Sequence, residues 1–439
     1  MRAGAVSQPQ EIMRLERFIP AAFAGSRGRA AAASLGEKPR RSRWGVLEVA
    51  DFRRLWIVGL VASGVRWLEI LVVGVFVYQH TGSAFAVALM TMLRSLPMAL
   101  FGALIGALAD RVERKQALIG VVLLMLTTSL CLAVLAYTGQ LAVWHLAVAS
   151  FCNGVAWAAD NPVRRVMIGD AVGADRMSVA MSVDVGANNA SRMLGPTIGG
   201  LLLAGVGISG AFTASVLFYL ISLIAVLRLR HGSGQAPAAR GGVLERIIEG
   251  ILVVRDDPKL IGTLMITVIY NVFGWPFTSM IPVIGQDNLH LGASGIGLLA
   301  SLDGVGAFCG AILLGIYARP AHYARLYIGS VASYLVLLIG FALVPNVPLA
   351  GTALLLTGFF NAGFSVMQAT LIYLAAPAEM RSRMYGVLSV CIGVSPLGFL
   401  WLGLLADAIG ASPATAVTGL MGLAALLFTR RWWRQLGAA

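Results

Sequence analysis

The sequence predicts an all-α membrane protein with twelve transmembrane helices in two pseudo-symmetric six-helix bundles. Of its 439 residues, 58% are hydrophobic and 12% are charged, which leaves more apolar surface than a soluble domain can bury. Apolar runs of about 20 residues, the length that crosses ~30 Å of hydrocarbon, recur along the chain. They fall at roughly 55–78, 84–109, 116–137, 141–162, 179–204 and 208–227, and then at 259–284, 295–317, 326–345, 349–374, 384–406 and 411–429.

The connections between these runs alternate in charge. All 33 lysines and arginines lie in every second connection, at the two ends or inside the runs, and turns such as 79–83 and 285–294 hold none. Short loops rich in Lys and Arg stay in the cytoplasm. We therefore expect a multi-pass protein of a bacterial cytoplasmic (inner) membrane with both termini in the cytoplasm. This pattern also accounts for the net charge of +13 without nucleic-acid binding.

Five regions follow from the spans. We expect a disordered basic cytoplasmic tail at 1–50, a first bundle at 51–228, a cytoplasmic linker at 229–256, a second bundle at 257–429 and a cytoplasmic tail at 430–439.

The two bundles are similar in sequence at an offset near 207 residues. Residues 177–186 lie over 384–393 and share Met, Ser, Val and Gly, and Asp51 lies over Asp257. A parallel duplication of this kind predicts a cavity between the bundles at mid-depth, exposed to each side in turn as the bundles rock.

The connection after the second run carries a recognisable motif, Gly102-Ala-Leu-Ile-Gly106-Ala-Leu-Ala-Asp110-Arg111-Val-Glu113-Arg114-Lys115. It resembles the signature loop of the major facilitator superfamily, Gly-x-x-x-Asp-Arg-x-x-Arg-[Arg/Lys]. The resemblance implies alternating access in a monomer and a latch that holds the outward-open state and breaks on inward opening. Its aspartate would pair with basic residues and a helix N-terminus. The expected latch comprises Gly106, Asp110, Arg111, Arg114, Lys115, Asp160, Arg164, Arg165 and Asp184.

The fifth run contains Gly195-Pro196-Thr-Ile-Gly199-Gly200, which resembles the motif of the exporters in that superfamily. We expect a kinked, closely packed gate helix there, and ordinary small-residue packing is the alternative. Phrases at 78–83, 94–97 and 192–196 resemble the branch of the enterobactin exporter and the macrolide efflux pumps.

Several ionisable residues fall inside the spans, where charge is expensive and marks function. Glu69 and Arg66 are three residues apart and can pair on one helix face. We hypothesise that Glu69 is the main protonation site, and a permanent structural pair is the alternative. Asp160 and Asp184 are expected to brace the loop at Arg164 and Arg165. The proposed intramembrane charges are Glu69, Arg66, Asp303, Arg94 and Arg192.

The cavity is expected among the first, fourth, seventh and tenth helices. Aromatic and amide side chains there suit an amphiphilic substrate, although some of them are expected to be packing or lipid-facing residues. The candidates are Trp67, Trp157, Tyr270, Asn271, Trp275, Asn361, Phe364 and Gln368.

The sequence has no P-loop, no Cys/His metal cluster and no nucleophile elbow, so we expect neither an enzyme nor a cofactor or metal. The leading hypothesis is a secondary active transporter that works by alternating access. It would couple efflux of a drug-like or siderophore-like amphiphile to proton entry. An importer, a uniporter or a lipid flippase remains an alternative, as does a non-transporting membrane sensor. The expected partners are the small molecule, protons and the lipid bilayer.

Overall fold

A computed structural model describes residues 43–109, 112–230, 257–376 and 380–433 of the chain, and every regular element in these ranges is helical. Most of the predicted N-terminal tail and of the predicted linker lies outside the described residues. Asp110 and Arg111 of the expected latch lie outside them as well.

The first half of the chain begins with four helices and ends with a long, broken one. Its last helix has a non-helical residue at Gly207 (φ 70°, ψ −175°), a conformation that glycine adopts without steric cost. This break lies between the fifth and sixth predicted runs, so the helix has two arms. The helices are α1 (Ala50–Thr81), α2 (Ala84–Ala109), α3 (Arg114–Tyr137), α4 (Val143–Val172) and α5 (Ala174–Leu227).

The second half begins at Asp257, whose carboxylate caps the first helix by accepting from the backbone N–H of Lys259 at 2.8 Å. Its seventh predicted run is not one regular helix but four consecutive segments. These segments are α6 (Pro258–Ile269), a π-helical turn (Tyr270–Gly274), a 3-10 helix (Trp275–Met280) and α7 (Ile281–Asp287). The remaining helices of this half are α8 (Ala293–Tyr317), α9 (Tyr323–Leu343), α10 (Val347–Ala375), α11 (Arg381–Ile392), α12 (Ser395–Ile409) and α13 (Ala411–Phe428). Short helical turns lie at Arg43–Val46, Pro320–His322 and Arg430–Trp433.

The irregular stretch in the seventh run has a cause in the sequence. Pro276 and Pro282 cannot donate a backbone hydrogen bond, so each removes one bond of the regular α-helical pattern in this region. Trp275 and its neighbours lie at this interruption, and breaks of this kind are frequent at functional sites.

The all-helical membrane fold is confirmed, but the count of twelve spans is not matched in full. Ten helical stretches among the described residues are long and apolar enough to cross a membrane. One of them, Asp175–Leu227, contains two predicted runs. Helix α4 is absent from the ten although it has 30 residues, since His145 and Asn153 lower the hydropathy of its first half and charged residues occupy its second half. It also continues to Val172, so Arg164 and Arg165 lie in a helix and not in the predicted loop.

The two halves meet along two helix pairs, α5 with α8 and α2 with α12. Within the halves, α1 packs on α5 and α8 packs on α10. We call the end of the bundle that carries the Lys- and Arg-rich connections the basic end, and the other the opposite end. The contact of α2 with α12 is extensive, whereas its contact with α11, nearer the basic end, is small. The halves are therefore held together mainly away from the basic end.

Candidate functional site

A cavity lies between the two halves at mid-depth, with about 800 Å³ of empty space that includes the part open to solvent. Its walls come from α1, α2 and α5 of the first half, and from the Trp275–Met280 segment, α7 and α8 of the second. Its charged and aromatic lining residues are Arg66, Arg94, Arg192, Asp303, Trp67 and Trp275.

An ion pair between Arg192 and Asp303 lies in the wall of this cavity, where α5 and α8 pack against each other. The Nη2 atom of Arg192 on α5 donates to Oδ2 of Asp303 on α8, so the pair joins the two halves. The guanidinium group also lies 5.3 Å from the ring centroids of both Trp67 and Trp275. The two side chains are 11% and 6% exposed, so removing either one would leave a costly buried charge.

The Asn361 amide completes the surroundings of this ion pair. It lies 2.7 Å from the hydroxyl of Tyr270 on one side and faces the guanidinium of Arg192 on the other. The second carboxylate oxygen of Asp303, Oδ1, is buried and has no hydrogen-bond partner in the described part of the chain. One oxygen of this carboxylate therefore has no donor bound to it.

Glu69 occupies a separate buried network inside the first half. Ser129 on α3 donates to Oε1 at 2.8 Å, and Asn153 on α4 donates to Oε2 at 3.1 Å. Nη2 of Arg94 lies 3.6 Å from Oε2. Glu69 is 1% exposed and is not among the cavity-lining residues. Unlike the Asp303 carboxylate, both of its oxygens accept hydrogen bonds.

The predicted pairing of Glu69 with Arg66 is not formed. Glu69 turns toward α3 and α4, where two donors meet it, and its cationic partner is Arg94 from the adjacent helix. Arg66 turns away, and its guanidinium lies 3.9 Å from the centroid of the Trp157 ring. A three-residue spacing places two side chains on one face, but the neighbouring helices decide which way each one turns.

Most of the predicted cavity residues do not line the cavity. Trp67 and Trp275 do, whereas Trp157, Tyr270, Asn271, Asn361, Phe364 and Gln368 are not among its lining residues.

The predicted cavity residues that do not line the cavity contact other residues within the bundles. The Tyr270 ring stacks on Phe364 with 3.7 Å between centroids. The amides of Asn271 and Gln368 donate to the carbonyl and the hydroxyl of Thr267, each at 2.9 Å. Buried amides are satisfied in this way in most folded proteins, and from sequence they cannot be told from ligand-binding amides.

The glycines of the expected gate helix lie at two helix contacts. A Cβ on Gly195 would lie 2.7 Å from Cβ of Trp67, and one on Gly199 would lie 2.8 Å from the carbonyl oxygen of Leu68, both on α1. Gly200 instead meets α8 of the other half, at Gly297. Pro196 lines the cavity. The motif thus holds α5 close both to its own half and to the other half.

Polar contacts close the opposite end between the halves. The Asp407 carboxylate on α12 accepts from the hydroxyl of Ser83 at 2.8 Å and from the backbone N–H of Phe85 at 3.0 Å. Tyr78 on α1 donates to Asp287 at the end of α7. These residues were not predicted from the sequence. One indication was present: Asp287 and Asp407 are acidic residues that border connections without Lys or Arg.

At the basic end, the described latch residues bind within the first half. Arg164 pairs with Asp160 at 3.1 Å and with Asp184, whereas Arg165 is exposed. The bracing by the two acids is therefore found for Arg164 and not for Arg165.

The other described latch residues are also bound inside the first half. Arg114 on α3 pairs with Asp170 on α4 at 2.7 Å, and Lys115 donates to the carbonyl of Leu229 at 2.7 Å. Gly106 lies in α2. Because Asp110 and Arg111 lie outside the described residues, the expected latch stays a prediction.

Comparison with known proteins agrees with this architecture. The family model for "Transmembrane secretion effector" matches residues 41–435. Macrolide efflux protein A of Streptococcus pyogenes is 22% identical, over 84% of this chain and 93% of its own. Enterobactin exporter EntS of Shigella flexneri is 25% identical, over 74% and 80%. Among solved structures, the nucleoside transporter NupG has a TM-score of 0.72 at 11% identity, over 87% of this chain and 99% of that one, which shows a shared fold.

Proposed function

Because the chain belongs to the transmembrane secretion effector family of the major facilitator superfamily, it is a multi-pass membrane transporter and not an enzyme, and we propose that it exports an amphiphilic small molecule in exchange for protons. The observation that carries this proposal is the mid-depth cavity whose wall contains the Arg192–Asp303 pair between the two halves. A single charge-neutralising event there acts on both halves at once.

The proposed orientation places the basic end in the cytoplasm of a bacterial inner membrane, with both termini on that side. The distribution of Lys and Arg supports it. The end closed by Asp287 and Asp407 then faces the outside, and the cavity takes its substrate from the cytoplasm. The transporter would work as a monomer, since its cavity is assembled from the two halves of one chain.

Asp303 is the proposed proton acceptor. It lines the cavity, and its Oδ1 atom has no donor bound to it in the described part of the chain, so a proton on that oxygen would displace no existing hydrogen bond. Protonation removes the charge that holds Arg192, and the two halves lose their central ion pair. A proton-coupled step needs such a differential interaction between two states.

Glu69 has a different proposed role. It lies behind the cavity wall, and its partners Ser129, Asn153 and Arg94 all belong to the first half. Its charge fixes the position of Arg94, which does line the cavity. The geometry therefore favours Asp303 over Glu69 as the coupling group.

The test is dye efflux from proteoliposomes that contain the purified protein. An imposed proton gradient, more acidic on the side of the opposite end, should drive extrusion of amphiphilic fluorescent dyes toward that side. Extrusion should stop when a protonophore collapses the gradient. Extrusion that continues unchanged without the gradient would rule out proton coupling, and gradient-driven movement toward the basic end would identify an importer.

A further inference from the structure

The cavity wall carries a surplus of positive charge. Three arginines line it, Arg66, Arg94 and Arg192, whereas Asp303 is its one acidic lining residue among those described. Counting Glu69 behind the wall, three cations face two carboxylates. The bilayer interior makes an uncompensated cation costly, so a chain that keeps one there has a use for it.

Arg66 is the arginine without a carboxylate partner. Arg192 is paired with Asp303, and Arg94 lies beside Glu69, but no ion pair joins Arg66 to an acid in the described part of the chain. Its Nη1 atom is buried and makes no hydrogen bond there. The ring of Trp157 lies 3.9 Å from the guanidinium carbon and stabilises the cation, but it supplies no carboxylate to neutralise the charge.

The aromatic residues beside the arginines suit a flat apolar group. Trp67 and Trp275 lie with ring centroids 6.4 Å apart at 79°, so one presents its edge to the face of the other. Both rings line the cavity next to Arg192. A ligand that has an aromatic body and a negative group can therefore contact rings and guanidinium groups together.

We propose that the substrates of this cavity are amphiphilic anions, whose carboxylate or similar acidic group binds the guanidinium group of Arg66. This inference rests on the proposed function, because it names the substrate class of the same cavity. Guanidinium groups bind carboxylates through charge-assisted hydrogen bonds, and the low-dielectric surroundings strengthen the attraction. The same field disfavours cationic ligands.

Binding is measured by isothermal titration calorimetry on the full chain in nanodiscs, with empty nanodiscs as the blank. Three probes share one aromatic body: naphthylacetate, naphthylacetamide and naphthylmethyl-trimethylammonium. The wild type should bind the anion about tenfold or more tightly than the amide, and the cation least of all. Equal or tighter binding of the cation, or no binding of the anion, would overturn the proposal.

Arg66→Gln isolates the charge. It should weaken binding of naphthylacetate about tenfold and binding of naphthylacetamide much less, and the retained binding of the amide also shows that the variant is folded. Arg66→Lys should restore most of the affinity for the anion. Arg165→Gln, at an exposed arginine outside the cavity, is the matched control and should change nothing. Undiminished binding of the anion to Arg66→Gln would overturn the assignment.

The transport assay separates the two proposals. If proteoliposomes bind the anion through Arg66 but no proton gradient drives its extrusion, the proposed function fails and the ligand class stands. If a gradient drives extrusion of neutral or cationic dyes while the anion does not bind, the proposed function stands and the ligand class fails.

Discussion

Gly200 on α5 and Gly297 on α8 face each other across the boundary between the halves, with no side chain between them. A Cβ on Gly200 would lie 3.0 Å from Cα of Gly297, tighter than nine in ten real Cβ contacts, and would clash with the carbonyl oxygen of Ala293. This approach lets two backbones from different halves pack directly, in the way that small residues permit in membranes. The contact between Gly200 and Gly297 lies in the part of the boundary that closes the cavity toward the opposite end.

Gly200→Ala should therefore open the opposite end. The added methyl group meets the backbone of α8, so α5 and α8 must separate. Spin labels on Gln140→Cys and Pro345→Cys, one on each half at that end, should report a longer or broader distance distribution. Gly205→Ala is the control, because a Cβ there meets nothing within 4 Å, and its distribution should match the wild type.

Asp303→Asn should abolish proton-driven transport. The amide cannot carry the charge that Arg192 binds, so the equilibrium between states no longer responds to protons. We expect gradient-driven efflux to fall about tenfold or more, while substrate exchange without a gradient persists. Both are measured in the same proteoliposomes, and full gradient dependence in this variant would exclude Asp303 as the coupling site.

Glu69→Gln should lower stability and spare coupling. The new amide nitrogen replaces one acceptor oxygen, so Ser129 or Asn153 loses its hydrogen-bond partner, at a cost of about 1–3 kcal/mol. Thermal unfolding followed by tryptophan fluorescence should show the loss. If Glu69→Gln instead abolishes gradient dependence and Asp303→Asn does not, the roles of the two acids are reversed.

Arg164→Gln should destabilise the first half. It leaves Asp160 and Asp184 buried without their shared cation, and breaking such a pair costs about 3–5 kcal/mol. The thermal midpoint should fall clearly. The neighbouring Arg165 is exposed, so Arg165→Gln should change stability by less than about 0.5 kcal/mol. Equal effects of the two substitutions would contradict the network described here.

Asp407→Asn should weaken closure of the opposite end. The carboxylate accepts from both Ser83 and Phe85 at the start of α2, and an amide keeps only one acceptor. A loss of about 1 kcal/mol shifts the population of the closed state about fivefold. The Gln140–Pro345 distance measurement detects this shift, and Ser83→Ala should produce a shift in the same direction because it removes one of the two donors.

The chain's hydropathy and charge pattern determined its class and its order of elements. Runs of about 20 apolar residues must be helical in a bilayer, since only a helix satisfies its own backbone there. The gap between the fifth and sixth apolar runs likewise located the break between the two arms of α5 within a few residues of Gly207. Helix α4 was placed too short, because its charged second half looks like a loop until it is seen to pair internally.

The sequence also identified the charges inside the membrane, but only the tertiary structure decided how they pair. Glu69, Arg66, Arg94, Arg192 and Asp303 were all recognisable as costly intramembrane groups. Their partners lie on other helices. Arg192 and Asp303, for example, form an ion pair although they are 111 residues apart in sequence. Local spacing predicts neighbours on one helix, whereas helix packing and rotation set which side chains meet across helices, and these determine the cavity's charge.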